Sequence, residues 1–192
     1  MKFFLIILIP VILLAGCGEN PIPKKTAYHR ITLPKKNYHR VDTLSCGFSF
    51  ELPDYAFLKT SPDMPANEQC WYNIYFPRFK GEIYLTYKNI NKEVTLDLLL
   101  EDLHRTAYGH SAKADNIETR TFEYPEERKF GLIYQVSGNV ASQMQFCVTD
   151  SSSKFVRGSL YFVCPPNKDS LEPVVNFIQK DIEHLISTFT WN

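Results

Sequence analysis

Cysteine is the residue type in this sequence with the clearest capacity for covalent chemistry, because a thiol can pair in a disulfide or be modified. The chain of 192 residues carries five cysteines, which is an odd number. If the others pair in an oxidising compartment, at least one must have another role. Cys17 is the best candidate for that role, since it ends the uncharged stretch ILLAGC near the amino terminus.

The residues before Cys17 are typical of an exported protein. Lys2 is followed by FFLIILIPVILLA, an apolar segment as long as the core of a secretory signal peptide and short for a bilayer span. The sequence LAGC resembles the lipobox of bacterial lipoproteins, which implies cleavage before Cys17 and acylation of its sulfur and amine. Several acyl chains on one residue hold a protein durably at a membrane. The alternative is an ordinary signal peptide or stop-transfer helix with an incidental cysteine.

These observations divide the chain into a signal peptide (1–16), a lipidated cysteine with a basic tether (17–43) and one α+β domain (44–192). Residues 18–43 carry a net charge of +4 and residues 44–192 a net charge of −5. A basic tether can lie against anionic lipid headgroups, although a merely solvated tether fits equally well. The acidic domain excludes nucleic acid as a partner.

The sequence gives only weak signals for metal binding and for catalysis. YHRI at 28–31 and YHRV at 38–41 place His29 and His39 ten residues apart, but no third ligand follows at zinc-type spacing. Each copy is therefore expected to start a short strand or to dock the tether. No catalytic or phosphate-binding motif is present, and neighbouring acids such as Glu126 and Glu127 point in different directions on regular structure. We therefore expect no cofactor, no metal and no enzymatic activity.

The elements that must position these residues are mostly strands. Alternation of apolar and polar residues predicts strands at 47–52, 70–76, 82–88, 130–136, 140–149 and 155–163. Helical periodicity predicts one helix after Thr95, with Gly109 at its end, and a second after Ser170, with Pro173 in its first turn. The predicted fold class is α+β, a mostly antiparallel sheet covered by two helices, and it resembles the Mog1/PsbP-like α/β/α sandwich.

The remaining cysteines can be tested against this strand pattern. A hairpin turning at DSSS (150–153) pairs Phe146 with Gly158 and Val148 with Val156, which leaves Cys147 and Cys164 about 23 Å apart along the ladder. A Cys147–Cys164 disulfide conflicts with that hairpin. Cys46 and Cys70 each begin a strand after a loop, so they are a candidate disulfide, with small buried thiols as the alternative.

Aromatic residues crowd two neighbouring predicted strands. Trp71, Tyr72, Tyr75 and Phe76 fall within the strand at 70–76. Most of the aromatic side chains must pack in the core, but a face left uncovered would expose a patch suited to a protein partner. These four residues are the candidate partner patch.

Longer strings resemble one protein family. CWYNIYFPRFKGEIYLTYK (70–88), LLEDLHRTAYGHSAKADNI (99–117), GLIYQVSGNVASQMQFCVTDS (131–151) and FVRGSLYF (155–162) resemble the gliding-motility lipoprotein GldD family of Bacteroidota. The resemblance implies a cell-envelope lipoprotein that is needed for gliding and is associated with the type IX secretion machinery. It implies no catalytic site. Cys46 and Cys70 fit the family pattern, whereas Cys147 and Cys164 do not.

Two functions from different classes follow. The first is an accessory or assembly component of the gliding and type IX secretion machinery, anchored by lipid to a membrane and bound to other envelope proteins of that machinery. A periplasm-facing position is favoured because CGEN lacks a dense acidic run after Cys17. The second is an envelope enzyme or small-ligand binder whose site forms around His104, His110 and the loop of Asp115.

Overall fold

The strand pattern produces two antiparallel sheets, as the computed structural model shows for residues 31–42, 46–109 and 111–192. The predicted signal peptide, Cys17 and most of the predicted tether lie outside these described residues. The strands of the described part are β1 (Tyr38–Val41), β2 (Phe48–Pro53), β3 (Phe57–Thr60), β4 (Trp71–Phe76), β5 (Gly81–Asn89), β6 (Ala114–Tyr124), β7 (Lys129–Gly138), β8 (Ser142–Thr149), β9 (Lys154–Phe162) and β10 (Thr190–Trp191). The helices are α1 (Leu96–Tyr108) and α2 (Lys168–Thr188).

The large sheet has seven strands in the order β3-β4-β5-β9-β8-β7-β6, and the small sheet has the order β1-β2-β10. The hairpin register predicted from sequence is confirmed, since Phe146 pairs with Gly158 and Val148 with Val156. Gly158 is required there because a Cβ atom would lie 2.2 Å from the Phe146 ring. Asp150 closes the turn by accepting backbone N–H bonds from Ser152, Ser153 and Lys154.

Each face of the large sheet has its own apolar core. On the inner face, α2 and the small sheet bury side chains such as Phe50, Phe146 and Ile178, each with no exposed surface. On the outer face, α1 buries Leu103 and Ala107 against β7, β8 and β9. The apolar stripes predicted for both helices are therefore confirmed. No helix of the described part has the length and apolar character needed to span a membrane.

Several details differ from the sequence expectations. The segment predicted as a tether contains β1, which pairs with β2 within the compact unit Ile31–Asn192. Helix α2 begins at Lys168, because Asn167 caps it by accepting the Ser170 N–H at 3.2 Å, so Ser170 is not the cap. Strands β3 and β6 were not predicted, since both are edge strands without a regular apolar face.

Cys46 and Cys70 form a disulfide in the structure, with their Cα atoms 5.9 Å apart. Both cysteines sit at tight turns, where Cys70 and Gly47 have φ angles of +68°. The bond joins the start of β2 to the start of β4 and so connects the small sheet to the large one. Cys147 and Cys164 are free thiols, the first buried and the second exposed.

Replacing both Cys46 and Cys70 by Ser is predicted to lower the free energy of unfolding by about 3 kcal/mol, because the unfolded chain loses a constraint on a loop of this length. Urea denaturation measures the change. Cys164→Ser, which removes an exposed free thiol, is the matched control and should leave stability within about 0.5 kcal/mol of the parent. Equal stability of the double variant and the control would contradict the prediction.

Candidate functional site

A buried carboxylate on α2 fixes the chain that leads into the domain. Asp181 is 3% exposed. Its Oδ1 atom accepts a hydrogen bond from the Tyr38 hydroxyl at 2.9 Å and an ion-pair contact from Lys36 Nζ, and its Oδ2 atom accepts from the Tyr55 hydroxyl at 2.6 Å. Because a charge buried without partners is very costly, these donors are what make its position tolerable.

The donors are themselves held by their surroundings. Lys36 Nζ also donates to the Phe177 carbonyl oxygen at 3.0 Å and lies 3.9 Å from the centre of the Phe177 ring. Burial, followed by the bond to Asp181, raises the pKa of the Tyr55 and Tyr38 hydroxyls well above the ordinary value. Both hydroxyls therefore remain protonated donors at any physiological pH.

A second set of contacts extends this attachment along α2. The Tyr38 ring stacks on His184 with centroids 3.7 Å apart, and His184 Nε2 lies 2.7 Å from Glu51 Oε2 on β2. Arg40 donates to the Thr188 carbonyl oxygen at 2.6 Å near the end of the helix. The strap, defined as residues 31–41, is therefore attached to α2 at several points.

The attachment of the strap to α2 reduces the number of free basic residues in the predicted tether. Lys36 and Arg40 were counted among its six basic residues, but both are engaged with α2. Their cationic groups are therefore already bonded to the domain, although Arg40 remains exposed. The basic residues left upstream of the strap are Lys24, Lys25 and Arg30, which lie outside the described residues.

The second notable surface is the part of the large sheet's outer face that lies beyond α1, where aromatic side chains are exposed or half-buried. Trp71 aligns with Thr86 and then with Arg157 across three strands, and Arg157 donates to Asp102 of α1 at 2.8 Å. Helix α1 therefore lies on the same face as Trp71, but its apolar contacts are with β6 to β9. The remaining surface, here called the open face, is formed by Phe57, Trp71, Tyr75, Tyr84 and Tyr161.

The open face is aromatic but contains a polar centre. Phe57 stacks on Tyr75 with centroids 5.4 Å apart, and Tyr84 meets Tyr161 edge to face at 5.5 Å. Between these pairs, Asn73 donates to the buried Glu82 carboxylate at 2.7 Å. Its flat shape and mixed chemistry are typical of protein interfaces, in which aromatic side chains are enriched.

Several buried polar atoms near the open face lack hydrogen bonds. Within the described residues, Trp71 Nε1, Asn73 Oδ1 and Gln145 Nε2 have no partner. Such groups are rare in native proteins because each leaves a desolvation cost uncompensated. These unsatisfied groups lie beneath the surface, among the side chains that support the open face.

The predicted partner patch divides between the two faces of β4. Successive side chains of a strand point to opposite faces. Trp71 and Tyr75 therefore belong to the open face, whereas Phe76 is 1% exposed and Tyr72 packs against the inner core. Phe57, Tyr84 and Tyr161 complete the open face, and only the pairing of strands reveals them.

The other candidate residues that the structure describes each contact a separate partner. His104 Nδ1 lies 3.2 Å from the Tyr134 hydroxyl, Asp115 pairs with Lys168 at 2.5 Å, and His110 lies outside the described residues. His39 contacts Asp54 at 3.1 Å on the exposed surface. Within the part of the chain that the structure describes, no cluster of three potential metal ligands occurs.

A family model for the gliding motility lipoprotein GldD matches residues 18–191. The chain belongs to the GldD family. Membership assigns it a role in gliding motility and makes it a lipoprotein, attached to a membrane of the cell envelope. The family resemblance read from sequence is therefore confirmed. A search of curated proteins finds no similar sequence.

The fold of this GldD-family protein resembles that of a cyanobacterial PsbP protein. The solution structure of cyanobacterial PsbP (CyanoP) from Synechocystis sp. PCC 6803 has 13% sequence identity and a TM-score of 0.50, and the match covers 86% of this chain and 98% of CyanoP. The predicted α+β, PsbP-like fold is confirmed. At this identity, the likeness concerns the fold alone.

Asp181→Ala is predicted to lower the free energy of unfolding by about 3 kcal/mol, because it leaves Lys36 and two buried hydroxyls without their acceptor. Urea denaturation measures this loss. Glu172→Ala, an exposed position on the same helix, is the control and should change stability by less than about 0.5 kcal/mol. A loss below 1 kcal/mol for Asp181→Ala would show that the carboxylate does not hold the strap.

The two free thiols are predicted to react very differently. Burial raises the pKa of Cys147 to about 12, against smaller lowering effects of the Leu132 backbone and the Arg157 cation. Since the thiolate is the reactive form, iodoacetamide should label Cys164 and not Cys147 in the native protein at pH 8. Mass spectrometry after brief treatment with iodoacetamide checks this prediction. Unfolding in urea should allow both thiols to be labelled. Rapid native labelling of Cys147 would contradict the packing of α1.

Proposed function

We propose that this GldD-family protein is a lipid-anchored accessory component of the gliding and type IX secretion machinery that works by protein contact. Acyl chains on Cys17 hold it at a membrane, and the domain faces the periplasm. Its role is to bind a neighbouring envelope protein, without catalysis. The open face carries this proposal, because it groups five exposed or half-buried aromatic side chains on one face of the sheet.

The composition of the open face fits a protein partner better than a small molecule. Aromatic anchors surrounded by polar groups dominate the energetics of protein interfaces. Lys59 lies over the Phe57 and Tyr75 rings, with Nζ 5.0 and 5.5 Å from their centres, which adds a charged rim. Five aromatic side chains on one side of a sheet give a broad surface rather than a cleft.

The alternative, a ligand binder or enzyme near His104 and Asp115, gains no support from the described residues. A cavity of about 260 Å³ lies beside this region, lined by Gly109, Ala112, Lys113, Asn139, Val140, Ala141 and Pro166. Neither His104 nor Asp115 lines it, since their polar atoms contact Tyr134 and Lys168. A catalytic site needs convergent polar groups, and this lining does not provide them.

The anchoring step is tested by Cys17→Ala in the native cell. We expect the variant to lose its acyl chains, to appear in the soluble fraction and to impair gliding and secretion. Mass spectrometry of the mature amino terminus shows the acylation directly. An unacylated native protein that still carries residues 1–16 would overturn the anchoring proposal.

The contact step is tested by the double change Phe57→Ser and Tyr75→Ser in the acylated protein. Loss of this stacked aromatic pair should weaken partner binding by about 2 kcal/mol, or about thirtyfold, so that crosslinked partners and cell spreading are both reduced. Tyr108→Ser changes an exposed tyrosine on α1, outside the open face, and is the control. Unchanged crosslinking and spreading in a folded double variant would remove the open face as the contact surface.

A further inference from the structure

A single carboxylate lies within the open face. Glu82 on β5 aligns with Tyr75 of β4 on one side and with Tyr161 of β9 on the other. Residues that face each other across antiparallel strands project from the same side of the sheet. Tyr84, two residues further along β5, projects from that side as well. Three tyrosine side chains are therefore neighbours of the Glu82 carboxylate.

This carboxylate is bonded only to neutral groups in the described part of the chain. Its Oε1 atom accepts a hydrogen bond from Asn73 Nδ2 at 2.7 Å, and its Oε2 atom accepts one from the Tyr84 hydroxyl at 3.2 Å. Glu82 is only 9% exposed. A carboxylate buried to this extent is usually paired with a cation, because neutral donors recover only part of the lost hydration. A cation supplied from outside the chain would complete the pairing.

The negative charge near the tyrosine rings does not come from Glu82 alone. Burial is the largest cause that raises the pKa of the Tyr84 hydroxyl, followed by Glu82, Tyr75 and Asp63. Asp63 therefore adds a second negative charge close to the same ring. A cation above these rings would be attracted by the two carboxylates and by the electron-rich ring faces together.

The open face already holds cations of the chain itself against aromatic rings. Lys59 Nζ lies 5.0 Å from the centre of the Phe57 ring and 5.5 Å from the centre of the Tyr75 ring. Lys88 Nζ lies 5.6 Å from the centre of the Trp71 ring. These contacts use the rings on the β3 and β4 side of the face. The rings on the β5 and β9 side have no such lysine or arginine in the described part of the chain.

The free rings on the β5 and β9 side are Tyr84 and Tyr161. They meet edge to face with centroids 5.5 Å apart, and both are half-buried, so each keeps surface towards solvent. We propose that the partner protein places a cationic side chain on these two rings, beside Glu82. A guanidinium group suits this position, because it stacks on aromatic rings and also bonds to carboxylates. The inference rests on the proposed function and adds the chemistry of the contact.

A small cationic probe tests this contact directly. The probe is N-acetylarginine amide, and N-acetylcitrulline amide is a neutral control of similar shape. In the mature chain made with Cys17→Ser and isotope-labelled tyrosine, the arginine probe should shift the ring NMR signals of Tyr84 and Tyr161 until they saturate. The citrulline probe should leave these signals unchanged. Increasing salt should weaken the arginine effect, because mobile ions screen the attraction.

Two variants identify the groups that hold the probe. Glu82→Gln keeps an acceptor for Asn73 and removes the charge, so arginine binding should weaken by about fivefold. Glu118→Gln is the matched control, an exposed glutamate on β6, and should bind as the parent does. Tyr161→Leu removes one ring while Glu82 stays, and it should also weaken binding. Urea denaturation verifies that each variant is folded. Equal shifts with arginine and citrulline, no shift with arginine, or unchanged binding by Glu82→Gln would each overturn the proposal.

An assay in the cell separates this inference from the proposed function. In the acylated protein, Glu82→Gln should reduce the crosslinked partner and cell spreading, as the double change Phe57→Ser and Tyr75→Ser does. If the double variant loses the partner but Glu82→Gln keeps it, the open face is the contact surface and the cationic contact is wrong. If both variants keep the partner, the proposed function and this inference fail together.

Discussion

The burial of one carboxylate constrains the rest of this structure. Asp181 is placed on the apolar side of α2, where an isolated charge would be too costly, and its partners come from outside the helix. Lys36 and Tyr38 belong to the strap, and Tyr55 follows β2. The strap therefore contributes to the packing of the helix, and the position of the chain segment before β2 is coupled to the stability of the domain.

That coupling fixes where the described chain enters the domain. Because Lys36, Tyr38 and Arg40 all contact α2, the strap from Ile31 onward is part of the domain surface rather than a free extension. Helix α2 packs on the inner face of the large sheet, whereas the open face is on its outer side. The strap and the open face therefore belong to opposite sides of the large sheet.

Much of the fold follows from the sequence because apolar periodicity records burial. The β8–β9 register and the apolar stripe of α1 were predicted correctly, since their burial leaves a regular pattern. Strand β6 was missed because an exposed edge has no such pattern. Asp181 was missed because a buried charge cannot be told from a surface charge until its partners, 126 to 145 residues away in sequence, are known.

The residues of the open face could likewise be predicted only in part from the sequence. Trp71 and Tyr75 could be selected from one strand, but Tyr84 and Tyr161 join them only through pairing across β5 and β9.

The disulfide illustrates the opposite case. Cys46 and Cys70 both follow loops and precede strands, so local sequence was enough to nominate them, while the bond itself depends on how the two sheets meet.

The most direct test of the strap is a distance measured between the strap and the sheet. Spin labels at Leu33→Cys and Lys59→Cys, in a protein with Cys164→Ser, report this distance by pulsed electron paramagnetic resonance. A single narrow distribution is predicted, and it should broaden when Asp181 is replaced by Ala. A broad distribution in the protein that retains Asp181 would show that the strap is not held, and would contradict the central claim.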